Sequence, residues 1–189
     1  MSAQYKKIQV SDAVRTAAHQ RCSLERLPLN LVLAIIMVES SGDTYAWNPE
    51  PKYRYLWDVA RKRAFRTLTP TENWSETPPA DFPVLVGDRD AEWWGQQASW
   101  GLMQVMGAVA REYGFDKHFP ALADITAGIS VGCRHLGMLH GRYINSGGWP
   151  AVVAAYNAGS PRYVDKTGTF INQSYVDKVA SYGGLEGLQ

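Results

Sequence analysis

The sequence has few of the features that mark several large classes of protein. Its two cysteines, Cys22 and Cys133, form neither a disulfide framework nor a Cys/His spacing typical of a metal site. The formal net charge of +1 gives no basic footprint for nucleic acid. No uninterrupted apolar run of about eighteen residues occurs. We therefore expect no metal or other cofactor, no nucleic-acid partner and no membrane insertion. Whether the two cysteines meet stays open.

The N-terminus also lacks the apolar core of a signal peptide. We therefore expect a chain made in the cytoplasm without an export signal of its own. Its 189 residues are enough to bury a core, so a single domain over residues 1–189 is predicted. We expect this domain to be a monomer.

Aromatic residues, in contrast, are abundant. The chain has seven Trp and ten Tyr. Each offers a flat apolar face with a polar edge, which suits both a protein core and the face of a sugar ring. Composition alone leaves both uses open.

Hydrophobic periodicity predicts a mainly α fold around one central buried helix. Pro28 suits the first turn of that helix, whose residues are apolar on nearly every side and which should end at Gly42. No strand is convincing. Further helices are predicted at residues 11–23, 99–113, 125–143, 150–158 and 173–184.

Residues 44–98 differ in character, and we interpret them as an irregular insertion with too little apolar pattern for a core of its own. Six prolines interrupt the stretch, leaving one helical candidate at residues 55–65. Residues 52–66 hold six Lys/Arg against one Asp, a net +5, and residues 67–98 hold one Arg against six Asp/Glu, a net −5. Such charge runs are usually solvated faces.

Glu39 is notable because it directly follows the most apolar stretch of the chain. In the last turn of a buried helix, the negative helix end and desolvation both favour the protonated acid. A carboxyl group still protonated near neutral pH can serve as a general acid. Alternatively, Glu39 lies at the surface or pairs with an arginine. The residue alone does not decide between these readings.

Two other stretches place polar groups beside apolar ones. In GLMQVM, Gln104 lies about 200° around the predicted helix from Leu102. Met103 and Gln104 therefore face either solvent or a cleft. In AYNAG, Tyr156 and Asn157 offer a phenol and an amide at a helix end. They either bind the hydroxyl and N-acetyl groups of a sugar or simply pack and cap the helix.

Together and in this order, ES at 39–40, GLMQ at 101–104 and AYNAG at 155–159 resemble the signature of the soluble lytic transglycosylases. That family is similar in fold to goose-type lysozyme. The long helix after GLMQ and the late QSYVDKV also resemble the family. The resemblance covers roughly residues 27–43 and 99–180.

The resemblance implies a lysozyme-like helical fold that acts on the glycan strands of peptidoglycan. Glu39 would be the single catalytic acid/base. The other residues in the family's motifs would order the helix end, line the cleft, or position the sugar and the Glu39 carboxyl: Ser40, Met103, Gln104, Tyr156, Asn157 and Tyr175.

The implied reaction cleaves the MurNAc-β-1,4-GlcNAc bond and closes a 1,6-anhydro ring on MurNAc. The alternative is a hydrolytic muramidase like goose-type lysozyme, in which Asp43 or another carboxylate (Glu50, Asp58 or Glu92) activates water. A third hypothesis, from a different class, is a peptidoglycan-binding component without activity.

Two departures from the family's pattern affect this reading. Gly107 stands where the family commonly has proline after its GLMQ segment, and 60 residues separate Ser40 from Gly101. The aromatic residues of the insertion either extend the glycan groove, cover it as a lid, or pack the insertion onto the body. The setting implied is a phage lysin released through a membrane pore, a virion component, or a bacterial enzyme exported by a dedicated machine.

Overall fold

The computed structural model describes residues 4–164 and 168–188, and its fold is mainly α, as predicted. The described part of the chain has six helices: α1 (Asp12–Glu25), α2 (Leu29–Ser40), α3 (Arg89–Gln96), α4 (Gly107–Glu112), α5 (Ile125–Ala158) and α6 (Gln173–Ser181). Its strands are short: β1 (Trp47–Pro49), β2 (Trp57–Asp58), β3 (Arg63–Ala64), β4 (Ala98–Trp100) and β5 (Val105–Met106). Single turns of 3-10 helix lie at Glu72–Trp74 and Phe119–Ala123.

The chain divides into two compact units. The first contains residues 1–42 and 132–189, and the second contains residues 43–131. The stretch interpreted as an insertion therefore belongs to the second unit.

The first unit contains the predicted buried helix. Seven consecutive residues of α2, from Leu31 to Met37, are buried, and α2 packs against α1 and α6. Ser11 caps α1 by accepting a hydrogen bond of 3.3 Å from the amide of Val14. Burial of nearly the whole circumference explains why α2 lacks an amphipathic pattern.

Helix α5 is interrupted where the sequence predicts a break between two helices. Gly148 has φ 62° and ψ −167°, which no helix accommodates, and Pro150 follows in the first turn after it. Asp124 caps the start, with Oδ1 accepting from the amide of Ala127 at 2.8 Å. Gly159, at φ 75°, ends the element.

The absence of strands was a wrong prediction, and the helix predicted over residues 99–113 forms only at Gly107–Glu112. Strands β1, β4 and β5 form an antiparallel sheet in which Trp100 pairs with both Trp47 and Val105. Gly101 at φ 68° and Gln104 at φ 46° lie in the left-handed region, so the chain turns there and α4 begins only at Gly107.

The insertion is also more regular than predicted. Residues 55–65 contain the antiparallel pair β2–β3 instead of a helix, and α3 was not predicted. Asp88 caps α3 by accepting from the amide of Ala91 at 2.7 Å. The prediction that the insertion has no core was wrong as well. Its buried cluster consists of Leu56, Leu68, Phe82 and Trp93, with Phe65 packed against it.

The basic and acidic runs of the insertion meet at Arg66. Its guanidinium donates to both carboxylate oxygens of Glu72 and of Asp81, at 2.7 to 2.8 Å. All three groups are solvent-accessible, so this cluster organises the surface more than it stabilises the fold.

Cys22 and Cys133 do meet. Both are buried and free, and their side chains hydrogen-bond each other. Among residues 4–164 and 168–188, no helix has the length and apolar character to cross a membrane.

Candidate active site

Glu39 lies at the carboxyl end of α2, where a defined turn stops the helix. The Ser40 hydroxyl donates to the carbonyl of Ile36 at 3.1 Å and accepts from the amide of Gly42 at 3.2 Å. Ser41 takes a left-handed conformation at φ 55°, and its amide donates to Met37. The buried run thus carries a half-buried carboxylate on a rigid support.

Tyr175 is a hydrogen-bond partner of Glu39. Its hydroxyl donates to Glu39 Oε1 at 2.5 Å, and its side chain is buried. Burial, the negative charge of Glu39 and the nearby phenol of Tyr156 all raise the pKa of Tyr175 well above its usual range. The phenol therefore stays protonated and remains a donor to the carboxyl group.

Tyr156 is buried on α5, close to His135 on the same helix. The two ring centroids lie 5.3 Å apart at an angle of 50°. Burial, and then the charge of Arg142, lower the pKa of His135 to about 4. A neutral imidazole therefore packs beside Tyr156 at neutral pH.

Asn157 is exposed at the end of α5 and is joined to the start of α6. Its side-chain oxygen accepts a hydrogen bond of 2.9 Å from Asn172, which also donates to the carbonyl of Ala154 at 2.9 Å. Asn172 is the residue before α6, the helix that carries Tyr175. Because of this link, the two helix ends that present Tyr156 and Tyr175 are fixed to each other.

In the second unit, GLMQ forms the four-residue turn between β4 and β5. The side chain of Gln104 holds this turn closed: its amide nitrogen donates to the carbonyls of Ala46 at 3.0 Å and Gly101 at 2.9 Å. Its oxygen accepts from the Ser99 hydroxyl at 2.9 Å. Both amide hydrogens thus have partners inside the unit.

The other GLMQ residues are buried within the same turn. Met103 has 0% exposure. A Cβ added at Gly101 would lie 2.4 Å from the carbonyl oxygen of Leu122, so this position requires glycine for space as well as for its φ of 68°. The fold of the turn therefore explains why glycine stands at position 101, which the sequence pattern alone does not reveal.

The family model for the transglycosylase SLT domain matches residues 17–174. The chain belongs to the SLT transglycosylase family. This family acts on peptidoglycan. Neither a curated protein nor a solved structure matches the chain.

The carboxylates considered as a second catalytic group of this SLT domain differ in surroundings. Asp43 is exposed and accepts from the amide of Tyr45 at 2.8 Å. Asp58 and Glu92 are buried against Arg61 and Arg111. Glu50 is exposed. Asp43 and Glu50 are thus accessible to water, whereas Asp58 and Glu92 each form an ion pair with an arginine.

Sequence reasoning missed Asn172 and His135 in the SLT domain. Asn172 was detectable as a helix-preceding asparagine, but its partners are 15 and 18 residues away. His135 shares a helix with Tyr156 across the break at Gly148, so no helical spacing relates them.

Within residues 4–164 and 168–188, no group of three or more His, Cys, Asp or Glu is arranged to hold a metal ion.

Proposed function

We propose that this SLT domain is a peptidoglycan lytic transglycosylase that cleaves the MurNAc-β-1,4-GlcNAc bond, with Glu39 as its single acid/base. The observation that carries the proposal is the hydrogen bond of 2.5 Å from Tyr175 to the half-buried Glu39 carboxyl. This bond holds the carboxyl group in a defined position and would stabilise its ionised form. The family's activity on peptidoglycan supplies the substrate class.

In the first step, the Glu39 carboxylic acid donates its proton to the glycosidic oxygen. The C1–O bond then breaks with oxocarbenium character at MurNAc C1, and GlcNAc leaves as an alcohol. Glu39 is now ionised, and the Tyr175 hydroxyl stabilises the new charge. This stabilisation is greatest when the carboxylate forms, so it favours the bond-breaking step.

In the second step, the Glu39 carboxylate takes the proton of the MurNAc 6-hydroxyl, whose oxygen attacks C1. The product is a 1,6-anhydro ring, no water is consumed, and Glu39 regains its proton. Because the nucleophile belongs to the same sugar, its effective concentration is high. A second protein carboxylate is not needed.

The remaining motif residues would position the substrate or the catalytic carboxyl group. Tyr156 and Asn157 would orient the sugar and the Glu39 carboxyl, and Ser40 would fix the helix end beside it. Met103 and Gln104 were expected to line the cleft. Since Met103 is buried and the Gln104 amide is engaged by backbone carbonyls, we propose that these two maintain the conformation of the GLMQ turn.

Hydrolysis is the second candidate, supported by the exposure of Asp43. A hydrolytic muramidase would use Asp43 to activate water. Asp58 and Glu92 are less suitable because each is buried against an arginine.

Mass spectrometry of the fragments released from purified cell walls tests both candidates. Transglycosylation predicts products ending in anhydro-MurNAc, lighter by one water than hydrolytic products. Reducing ends in every product would establish hydrolysis, and Asp43→Asn should then abolish it. Glu39→Gln should stop the loss of wall turbidity, whereas Glu76→Gln, at an exposed carboxylate with no proposed role, should not. A wild-type protein that binds walls without releasing fragments would support the non-catalytic alternative.

A further inference from the structure

The second unit contains an aromatic cavity lined by no residue of the proposed chemistry. The cavity has a volume of about 230 Å³. Tryptophan contributes a third of its nine lining residues, which are Trp47, Val86, Ala91, Trp94, Gly95, Trp100, His118, Phe119 and Pro120. No Asp, Glu, Lys or Arg belongs to this lining.

The aromatic walls are fixed by the sheet and by the start of the 3-10 turn. Trp47 and Trp100 are cross-strand partners with ring centroids 6.0 Å apart. Trp100 stacks on Phe119 at 5.9 Å with an interplanar angle of 16°, and its indole N–H donates to the carbonyl of Gly95 at 2.9 Å. The ring of Trp100 is therefore held from both sides, and the cavity is formed before any ligand arrives.

Two of the lining tryptophans, Trp94 and Trp47, remain partly exposed to solvent. Trp94 is 41% exposed, whereas its neighbour Trp93 is 1% exposed and packs edge-on against Phe82 in the core. Trp47 is 56% exposed. Large aromatic surfaces left in water at the mouth of an apolar cavity are typical of a binding site.

The lining favours one class of ligand. Without Lys or Arg side chains it has no permanently charged partner for a phosphate or a carboxylate group. A pyranose ring presents a flat C–H face that packs on indole, and its hydroxyl and acetamide groups remain at the rim for water and indole N–H groups. The volume is below the roughly 300–1,000 Å³ of pockets for drug-sized molecules, which suits a single ring.

We propose that this cavity is a second glycan-binding site, which takes one uncharged N-acetylglucosamine-type ring of the peptidoglycan strand. N-acetylmuramic acid fits the apolar lining less well because its lactyl group carries a carboxylate or a peptide. The inference rests on the proposed function for the identity of the glycan, but it uses no residue of the catalytic mechanism. Its role is to hold the strand while the reaction proceeds elsewhere on it.

The test uses the full chain with Glu39→Gln, ¹⁵N-labelled at its tryptophans and titrated with chitotetraose, an uncharged N-acetylglucosamine oligomer. The indole N–H signals of Trp47 and Trp94 should shift in a saturable way. The signal of Trp74 should not, because that residue is 78% exposed in the same unit but does not line the cavity. Trp94→Ala should raise the Kd measured at Trp47 at least five-fold, and Trp94→Phe should restore part of the affinity.

The matched variant Trp74→Ala should leave that Kd unchanged. Unchanged indole signals from the remaining tryptophans would show that each variant folds. Absence of saturable shifts at Trp47 and Trp94 would overturn the proposal, as would shifts caused only by a soluble stem tetrapeptide. Anhydro products together with unshifted indole signals would reject this binding site but not the transglycosylase mechanism. Indole shifts together with purely reducing products would reject the transglycosylase mechanism alone.

Discussion

The Tyr175 hydroxyl and Glu39 Oε1, from residues 136 positions apart in the chain, lie 2.5 Å apart in a hydrogen bond. The bond joins the end of α2 to α6, two helices that pack directly on each other. A buried phenol whose pKa is raised cannot compete with the carboxyl group as an acid. It would act as a fixed donor in the proposed mechanism, in which Glu39 exchanges protons with the substrate.

Tyr175→Phe is therefore expected to lower kcat more than it raises KM. A hydrogen bond to a charged group contributes about 1.5–3 kcal/mol, which corresponds to a loss of roughly 10–100-fold in rate. The rate of wall solubilisation against pH should also change shape, because the ionised form of Glu39 loses a donor. Tyr182→Phe, at the end of the same helix, should leave rate and profile unaltered. A Tyr175→Phe enzyme with full activity would remove this phenol from the mechanism.

Gln104→Ala should destabilise the protein by about 2–4 kcal/mol, because three side-chain hydrogen bonds close the GLMQ turn, each with a net value near 1 kcal/mol. Urea unfolding measures the change. Gln104→Gly separates the causes, since glycine tolerates the φ of 46° at no cost. If Gln104→Ala, which keeps the same backbone cost, is as stable as the wild type, the side-chain hydrogen bonds contribute little to the fold.

The helices of the first unit were predictable because each follows from local chemistry. Ser11 caps one start, Pro28 suits the first turn of α2, and the apolar circumference of α2 is typical of an interior helix. Glu39 was identifiable as a candidate for the same reason. Its partner Tyr175 was expected only from the family resemblance, because no local pattern relates residues so distant in the chain.

The second unit was less predictable because distant contacts override its local pattern. Leu102, Val105, Met106 and Val109 have helical spacing, yet the chain turns at Gly101, where the carbonyl of Leu122 leaves no room for a Cβ. Helix α3 has a clear cap at Asp88. Its charged first turn resembles a solvated face, while its Glu92 is in fact buried against Arg111.

Gly101→Ala is expected to be severely destabilising. Its Cβ would lie 2.4 Å from the Leu122 carbonyl oxygen, a backbone atom that cannot move without displacing its 3-10 turn. Gly114→Ala is the matched control: its φ of 85° is equally unfavourable, but no atom lies within 4 Å of the added Cβ. The control should cost about 1–2 kcal/mol, and thermal unfolding should show a clearly larger loss for Gly101→Ala. Equal losses would mean that backbone conformation alone explains the glycine.

Glu92→Ala should cost about 3–5 kcal/mol, because it leaves the guanidinium of Arg111 buried without its bidentate partner. Arg111 also holds the carbonyls of Phe115 and Lys117, so its displacement would loosen the chain after α4. Glu25→Ala removes an accessible ion pair with Arg21 and should cost at most about 1 kcal/mol. Similar midpoints for the two variants in urea would contradict a structural role for the buried pair.

Mild acid should destabilise the protein through His135. Burial and Arg142 lower its pKa to about 4 from the usual 6.5. Between these values the unfolded chain binds a proton that the folded protein does not, so the stability contributed by the neutral ring is complete above pH 6.5 and is lost as the pH falls towards 4. The loss is on the order of 2–3 kcal/mol.

His135→Phe keeps an aromatic ring beside Tyr156 but cannot bind the proton. Its free energy of unfolding should therefore decline less steeply than that of the wild type between pH 6.5 and pH 4. His19→Gln, at an exposed position on α1, should keep the wild-type slope. Urea unfolding at a series of pH values measures all three. If the slopes of wild type and His135→Phe coincide, the ring beside Tyr156 is not the source of the acid sensitivity, and its packing alone explains its place.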